Sequence, residues 1–330
     1  MITLQTKVNI DNPEVKLNYN SKIFLIGSCF SENIGEQLSR YKFNIIKNPF
    51  GVLYNPVSIS NALLTILKNK KYEEDQLDFY NDKWFSFDHH TSFSSENKSE
   101  CLTNINKSVE KASLFLKDTD VLIITLGTSY VYRQKESGKI VSNCHKIPAS
   151  QFTHEFLDQE NSFNIISNAL AGIIQENPKI YIIFTVSPIR HWKDGAVQNQ
   201  WSKASLLLTI KKILKEFERT YYFPSYEIFM DELRDYRFYD KDLLHPSNIG
   251  KIYIWDKFKT TFTDNNTEEL LKKTASVVEA FEHKPFWPNS QEYQKFARAT
   301  LKQIRELEDK LPPDSFIQEK TFFNHIIENH

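Results

Sequence analysis

Ser28 and, more than two hundred residues later, Asp242 and His245 have the types that acyl transfer needs. A serine hydroxyl is a weak nucleophile near neutral pH and requires a base within hydrogen-bond reach. That base in turn requires a partner that fixes its tautomer. Ser28 follows the apolar run Ile23-Phe24-Leu25-Ile26-Gly27 and leads directly into a helical stretch, so a strand would deliver it to the rim of a sheet. Asp242-Leu243-Leu244-His245-Pro246-Ser247 puts a carboxylate and an imidazole on one short turn. Each half alone has a plain structural reading, since Gly-Ser after a strand is a common turn and N-cap and Asp-x-x-His a common cap. Their conjunction, each on the kind of element its chemistry requires, points to a triad of Ser28 as nucleophile, His245 as base and Asp242 as orienting acid.

Cys29 is a rival nucleophile, because a thiol beside a helix N-terminus can be acidified. Adjacent side chains in a strand-to-helix turn diverge, so only one of Ser28 and Cys29 can face the histidine. The expectation is that Ser28 does, and that Cys29 packs as a small buried hydrophobe.

Apolar runs rich in Ile, Val, Phe and Leu recur over Lys22 to Ile26, Phe43 to Lys47, Val121 to Leu126, Lys179 to Val186 and Tyr221 to Ser225. Nearly continuous hydrophobicity suits strands buried on both faces of a parallel sheet. Helical patterns fall between and after them, at Ser31 to Tyr41, Ser58 to Lys68, Ile105 to Leu116, Asn161 to Glu176, Gln200 to Glu218 and Ser247 to Phe262. Strand alternating with helix predicts a doubly wound α/β sheet, in which ligands gather at the carboxyl ends of the strands. Ser28, Thr128 and the stretch Ser187 to His191 each sit just past such an end, and Gly51 slightly beyond another.

Residues 71 to 103, with the aromatic patch Trp84 to His90, and Gln134 to Phe152 read as long irregular insertions, a type of segment that often forms lids or binding loops. Both are expected near substrate, which makes His89 and His145 candidate substrate contacts. Arg190 and His191, at a strand exit, are suited to hold a carboxylate, a phosphate or sugar hydroxyls. The spacing of His89, His90, His145 and His191 matches no metal motif, and no metal or cofactor is expected.

The stretch Gly27-Ser28-Cys29-Phe30 resembles the GSCFA-domain family of bacterial proteins, whose name is this motif, and Asn48 to Val52, Thr125 to Ser129, Asn143 to Lys146 and Ser187 to His191 fit the same pattern. That family is similar to the SGNH/GDSL hydrolases, which carry a nucleophilic serine in a Gly-Asp-Ser-like first block and an Asp-x-x-His pair in the last. The last block matches at Asp242 to Pro246; the first departs, because no Asp precedes the serine and Cys29 follows it. The resemblance covers roughly residues 1 to 260. It implies a three-layer α/β/α sandwich with a parallel, flavodoxin-like sheet and ester cleavage or acyl transfer. It further implies an oxyanion hole with Gly51 as one donor and Thr128, or Asn143 in its place, as the side-chain donor.

After residue 263 the pattern changes to charged amphipathic helices at Thr267 to His283 and Gln291 to Lys310, broken by Pro312-Pro313. The expected organisation is therefore a domain over 1–263 and a helical extension over 264–330 packed on it, with the extension a candidate surface for self-association. The 330 residues include 41 Lys and Arg against 42 Asp and Glu, with no basic stripe, which argues against a nucleic-acid partner. No apolar run approaches a membrane span and Met1 to Lys7 lacks a signal-like pattern, so a cytoplasmic protein without membrane contact is expected. Three scattered cysteines suit reduced thiols. The expected activity is serine-dependent hydrolysis of a carboxylic ester on a small molecule or carbohydrate. The alternatives are O-acyl transfer by the same triad or a noncatalytic carbohydrate- or peptide-binding module.

Overall fold

The computed structural model describes residues 5–328. In chain order its first half holds β1 (Lys22–Gly27), α1 (Cys29–Arg40), β2 (Asn44–Lys47), α2 (Pro56–Leu67), β3 (Asp78–Tyr80), β4 (Lys83–Phe85), α3 (Lys98–Lys117), β5 (Val121–Leu126), β6 (Tyr130–Gln134), β7 (Ile140–Val141) and β8 (Phe152–Phe156). There follow α4 (Gln159–Glu176), β9 (Tyr181–Val186), α5 (Ala196–Glu216), β10 (Thr220–Phe223), the helical turn α6 (Ser225–Glu227), α7 (Asn248–Phe262), α8 (Asn265–Glu282), α9 (Gln291–Glu308) and α10 (Ile317–Glu328).

The apolar runs form one parallel sheet in the order β2-β1-β5-β9-β10. Ranked by position in the chain, this is the flavodoxin-like order 2-1-3-4-5, whose switch point, where ligands bind, lies between β1 and β5. Side chains alternate across the sheet. Phe24, Ile26, Leu122, Ile124 and Phe184 pack against α2, α3, α4 and α5 on one face. Ile23, Leu25, Val121, Ile123 and Ile183 pack against α1 and α7 on the other. The central strands β1, β5 and β9 are thus buried on both faces, which is why the sequence there reads as apolar runs rather than as alternation, while the edge strands β2 and β10 are mostly half-buried. Truncating a fully buried ring such as Phe24 to alanine removes about 3–5 kcal/mol.

The C-terminal helices share the second core, where Ala297, Ile304 and Phe323 are buried with the strand residues of that face. Tyr19 Oη donates to Thr274 Oγ1 at 3.2 Å, and Lys42 pairs with the buried Glu319 at 2.5 Å. α10 lies beyond Pro312-Pro313, where no helix is predicted from sequence.

The two insertions are more ordered than their composition suggests. The first contains the hairpin β3–β4, and the second belongs to an antiparallel sheet in the order β7-β6-β8 that follows β5 directly. These strands are short and largely solvated. In β8 only Phe152 is buried, so no apolar alternation marks them. Among the described residues no helix is long and apolar enough to cross a membrane.

Candidate active site

The turn between β1 and α1 is dictated by close approach of two backbones. Gly27 has φ +136°, and a Cβ there would sit 2.2 Å from the Thr125 carbonyl oxygen, so no side chain fits. Its N–H donates to Asn48 Oδ1 at 2.9 Å, and the Ser28 N–H donates to Thr125 O at 3.1 Å. Ser28 then serves as the N-cap of α1, its Oγ accepting from the Phe30 N–H at 3.3 Å.

The side chain of Ser28 is fully buried, whereas Cys29, the first residue of α1, is only partly buried. Ser31 Oγ lies 2.6 Å from Thr125 Oγ1 and 3.2 Å from the Ile26 carbonyl oxygen, which rotates α1 so that Ser28, Phe30 and Ser31 face the protein. Expectation and structure differ here: Ser28 caps the helix inside, and the partly buried Cys29 is the one of the two that borders a cleft.

Cys29 borders a cleft of about 510 Å³ at the carboxyl edge of the sheet, together with Thr128, Asn143, Arg190, His191 and His245. His245 is carried by a tight turn in which Leu243 adopts φ +58°. Asp242 Oδ1 accepts from the Leu244 and His245 N–H groups at 2.9 Å each, and its Oδ2 lies 2.5 Å from His245 Nδ1. The two backbone donors, followed by the imidazole, hold the Asp242 carboxyl down at about 2. A charged carboxylate on Nδ1 leaves Nε2 as the nitrogen that can take a proton. Both side chains are about half exposed, and His245 stands on the rim of the cleft with Asp242 behind it.

The floor is buried and cationic. Burial raises the Cys29 thiol above its ordinary value, and its own N–H, the ammonium groups of Lys203 and Lys251, and the Phe30 N–H offset only part of that rise. Lys203, on α5, is 1 % exposed; its Nζ donates to Gly127 O at 2.7 Å and Ser187 O at 2.8 Å, the backbone just past β5 and β9. Burial pulls that ammonium down to about 7. His191 is pulled down to about 4 by burial, with Lys203 and His245 adding to the effect.

Other predicted site residues lie elsewhere. Gly51 does not border the cleft; its N–H donates to Asn48 O at 2.7 Å, so it is spent in a turn and is not a free oxyanion donor. Its glycine identity has another cause, since at φ +74° a Cβ would sit 2.2 Å from His90 Cβ. His89 is fully buried, stacked on Phe50 at 4.2 Å and edge-on to Tyr72, and is an internal residue rather than a substrate contact. His145 is also buried, stacked on Phe85 at 4.1 Å with Nε2 3.0 Å from Ser86 O, and it too lies off the cleft. Thr128 and Asn143 do border it. Thr128 Oγ1 accepts from the Tyr130 N–H and pairs with Ser202 Oγ at 3.1 Å; Asn143 Nδ2 donates to Thr91 Oγ1 at 3.3 Å. Among the described residues no group of three or more His, Cys, Asp or Glu is gathered to hold a metal ion.

Two residues at the site are absent from the sequence-based expectations. Asn55 borders the cleft, and its Oδ1 caps α2 by accepting from the Ser58 N–H at 2.9 Å. Lys203 stands in the stripe Lys203, Leu206, Ile210, Ile213, otherwise the apolar seam of α5. A lysine at a core position of such a stripe is the one signal that could have revealed it.

Fold and site together define a flavodoxin-like α/β/α protein with a thiol and an Asp-paired histidine on one cleft at the carboxyl edge of its sheet. The chain belongs to the GSCFA family, whose pattern spans residues 22–258, and the pattern of the GSCFA domain protein, C-terminal domain, spans residues 274–329. A similar solved structure is an acetyl xylan esterase from the rumen bacterium Butyrivibrio proteoclasticus, with a TM-score of 0.31 and 13% identity over 62% of this chain and 55% of that one. The chain thus spans about half the length of that protein. Comparison with curated proteins gives no match.

Proposed function

We propose that the protein cleaves a carboxylic ester of an acylated small molecule or carbohydrate, with Cys29 as nucleophile, His245 as base and Asp242 as the acid that orients it. The observation that carries this reading is that Cys29 and His245 border the same cleft while Ser28 is buried as a helix cap.

His245 Nε2 takes the thiol proton, and the Cys29 sulfur attacks the acyl carbon, forming a C–S bond. The tetrahedral oxyanion meets the Cys29 N–H at the start of α1 and the amide NH2 of Asn55, whose other half is fixed by the cap on α2. Collapse breaks the C–O bond, and the leaving alkoxide takes its proton from the imidazolium. Water, deprotonated by His245, then attacks the thioester and releases the carboxylic acid and the thiol. A sugar hydroxyl in place of water would make the same sequence an acyl transfer.

Incubation with p-nitrophenyl acetate, followed by peptide mass spectrometry, tests the reading. The expected product is an acetyl thioester on Cys29 that hydroxylamine releases. It should vanish in Cys29→Ala, form slowly in His245→Ala and persist in Ser28→Ala. Acetyl on Ser28 would return the nucleophile to the serine, and no acylation of a demonstrably folded sample would end the ester-cleaving proposal. Acceleration by added sugars would identify a hydroxyl acceptor instead of water.

A further inference from the structure

We infer that a second cavity, on the other side of the turn that carries His245, holds the alcohol half of the ester, and that this half is a sugar bearing an anionic group. The inference rests on the reading of ester cleavage at Cys29 and names its class of substrate.

A cavity of about 630 Å³ adjoins the cleft, and Arg190 and Trp192 border both. The turn from Asp242 to His245 stands between the two: Asp242, Leu243 and Leu244 border the second cavity, and His245 borders the first. In ester cleavage the leaving oxygen takes its proton from the histidine, so the alcohol half runs from the acyl carbon toward that residue. Beyond His245 and the shared wall lies the second cavity, whose volume falls within the range of about 300–1,000 Å³ that small-molecule sites occupy.

Its walls suit a sugar ring. Trp192 is 51% exposed and Tyr236 is 76% exposed, so each keeps bare ring surface on which the CH side of a pyranose can pack while its hydroxyls stay wet. Leu243 adds an apolar surface from a costly backbone: at φ +58° it occupies a region where Asn or Gly would sit without strain, yet its side chain is 54% exposed. The shared wall is fixed in advance. The His191 N–H donates to Oδ1 of the buried Asn199 at 3.0 Å, and the Trp192 N–H donates to Arg190 O at 3.0 Å.

The charges select the anion. Among the described residues the charged side chains on this cavity are Arg190, Arg234, Asp235 and Asp242. Arg234 pairs with Asp231 at 2.7 Å, Asp235 with Arg237 at 2.8 Å, and Asp242 with His245 at 2.5 Å. Arg190 differs: its Nε is buried with no hydrogen-bond partner, and among the described residues no carboxylate forms an ion pair with it. A guanidinium partly withdrawn from water without a counter-charge is unfavourable, and a carboxylate or phosphate on the ligand supplies one. Because Arg190 stands on the shared wall, the anion belongs beside the ester and not at the far end of the cavity.

The test is isothermal titration of the full chain with alcohol products, which requires no chemistry: glucuronate, galacturonate and glucose 6-phosphate, with glucose, galactose and inorganic phosphate as controls. The best charged sugar should bind about tenfold tighter than its neutral counterpart and than inorganic phosphate, and whether it is a uronate or the sugar phosphate identifies the favoured anion. Arg190→Met should reduce the preference for charge to about twofold or less, with Arg190→Lys retaining part of it. No preference for any charged sugar, a preference that folded Arg190→Met keeps, or phosphate binding as tightly as the best charged sugar would each overturn the inference. Should Arg190→Met not fold, Tyr236→Ala, at an exposed ring, should weaken the best charged sugar about fivefold, and unchanged binding would overturn the inference equally. The preference in a chain that never forms an acyl-enzyme would leave the cavity's assignment standing and end the ester-cleaving proposal alone. An acyl-enzyme on Cys29 without the preference would end this inference alone.

Discussion

Two buried clusters in this protein carry depressed histidines, and only one of them borders the cleft. Under the first insertion, His89 stacks between Phe50 and the edge of Tyr72, with neither ring nitrogen hydrogen-bonded, and burial holds it neutral down to about 3. His145 beside it is held down to about 4 by burial. Past β9, His191 has the same depression to about 4, again from burial. The pKa values are alike because desolvation disfavours the charged imidazole wherever it occurs. What differs is the surroundings. His89 and His145 meet aromatic rings and a backbone carbonyl and lie off the cleft, whereas His191, edge-on to Tyr54, borders the cleft and feels the charges of Lys203 and His245. A perturbed titration marks burial, and it marks a site only where a nucleophile and open space adjoin it.

The contrast can be broken most sharply at Cys29. Cys29→Ala should reduce turnover of p-nitrophenyl acetate to the background rate, while His89→Phe leaves turnover within about twofold of wild type; turnover surviving the first change would remove the cleft from the chemistry. Next in size, His245→Ala should slow acylation by about 10²–10⁴-fold in a stopped-flow burst, the range for loss of a positioned general base.

The aromatic cluster should instead reveal itself in stability. Because folding depresses the His89 pKa to about 3, the unfolded chain binds a proton there between about 6.5 and 3 that the folded chain does not. Stability contributed by the neutral ring is thus present above about 6.5 and lost as pH falls toward 3, with His145 acting in the same direction. Urea unfolding of His89→Phe at pH 7 and pH 4.5 should show a smaller drop than wild type between the two conditions. Equal drops would mean that His89 is not buried neutral.

The smallest effect belongs to Ser28. Ser28→Ala removes the cap of α1 and should cost about 1 kcal/mol in urea unfolding, with acylation of Cys29 retained. Loss of acylation without loss of stability would restore the hydroxyl to the chemistry.

Much of the scaffold was legible along the chain. The five sheet strands were visible as apolar runs, most continuously at β1, β5 and β9, where the centre of a parallel sheet is buried on both faces, and the helices between them as 3.6-residue patterns. α3 begins at Lys98, earlier than its apolar pattern suggests, because its first turn is polar and held by the Asn97 cap on the Glu100 N–H. β6, β7 and β8 escaped notice because strands this short and solvated leave little apolar signal. Lys203 escaped because a lysine in a helix is taken as solvated unless its neighbours in space are known.

What the sequence by itself determined was local. Asp242 and His245 sit three residues apart on a turn, and short-range geometry is enough to bring Oδ2 to Nδ1. Arg190 and His191 follow a strand, and the end of a strand is where the cleft lies. Only the tertiary structure decided which of two adjacent residues meets that cleft, because the rotation of α1 is set by Ser31 against Thr125 and Ile26 across the switch point. The burial of Lys203 and the enclosure of His89 and His145 were decided in the same way. Spacing constrains side chains within a turn or two of one another, while burial depends on which distant segments close over them.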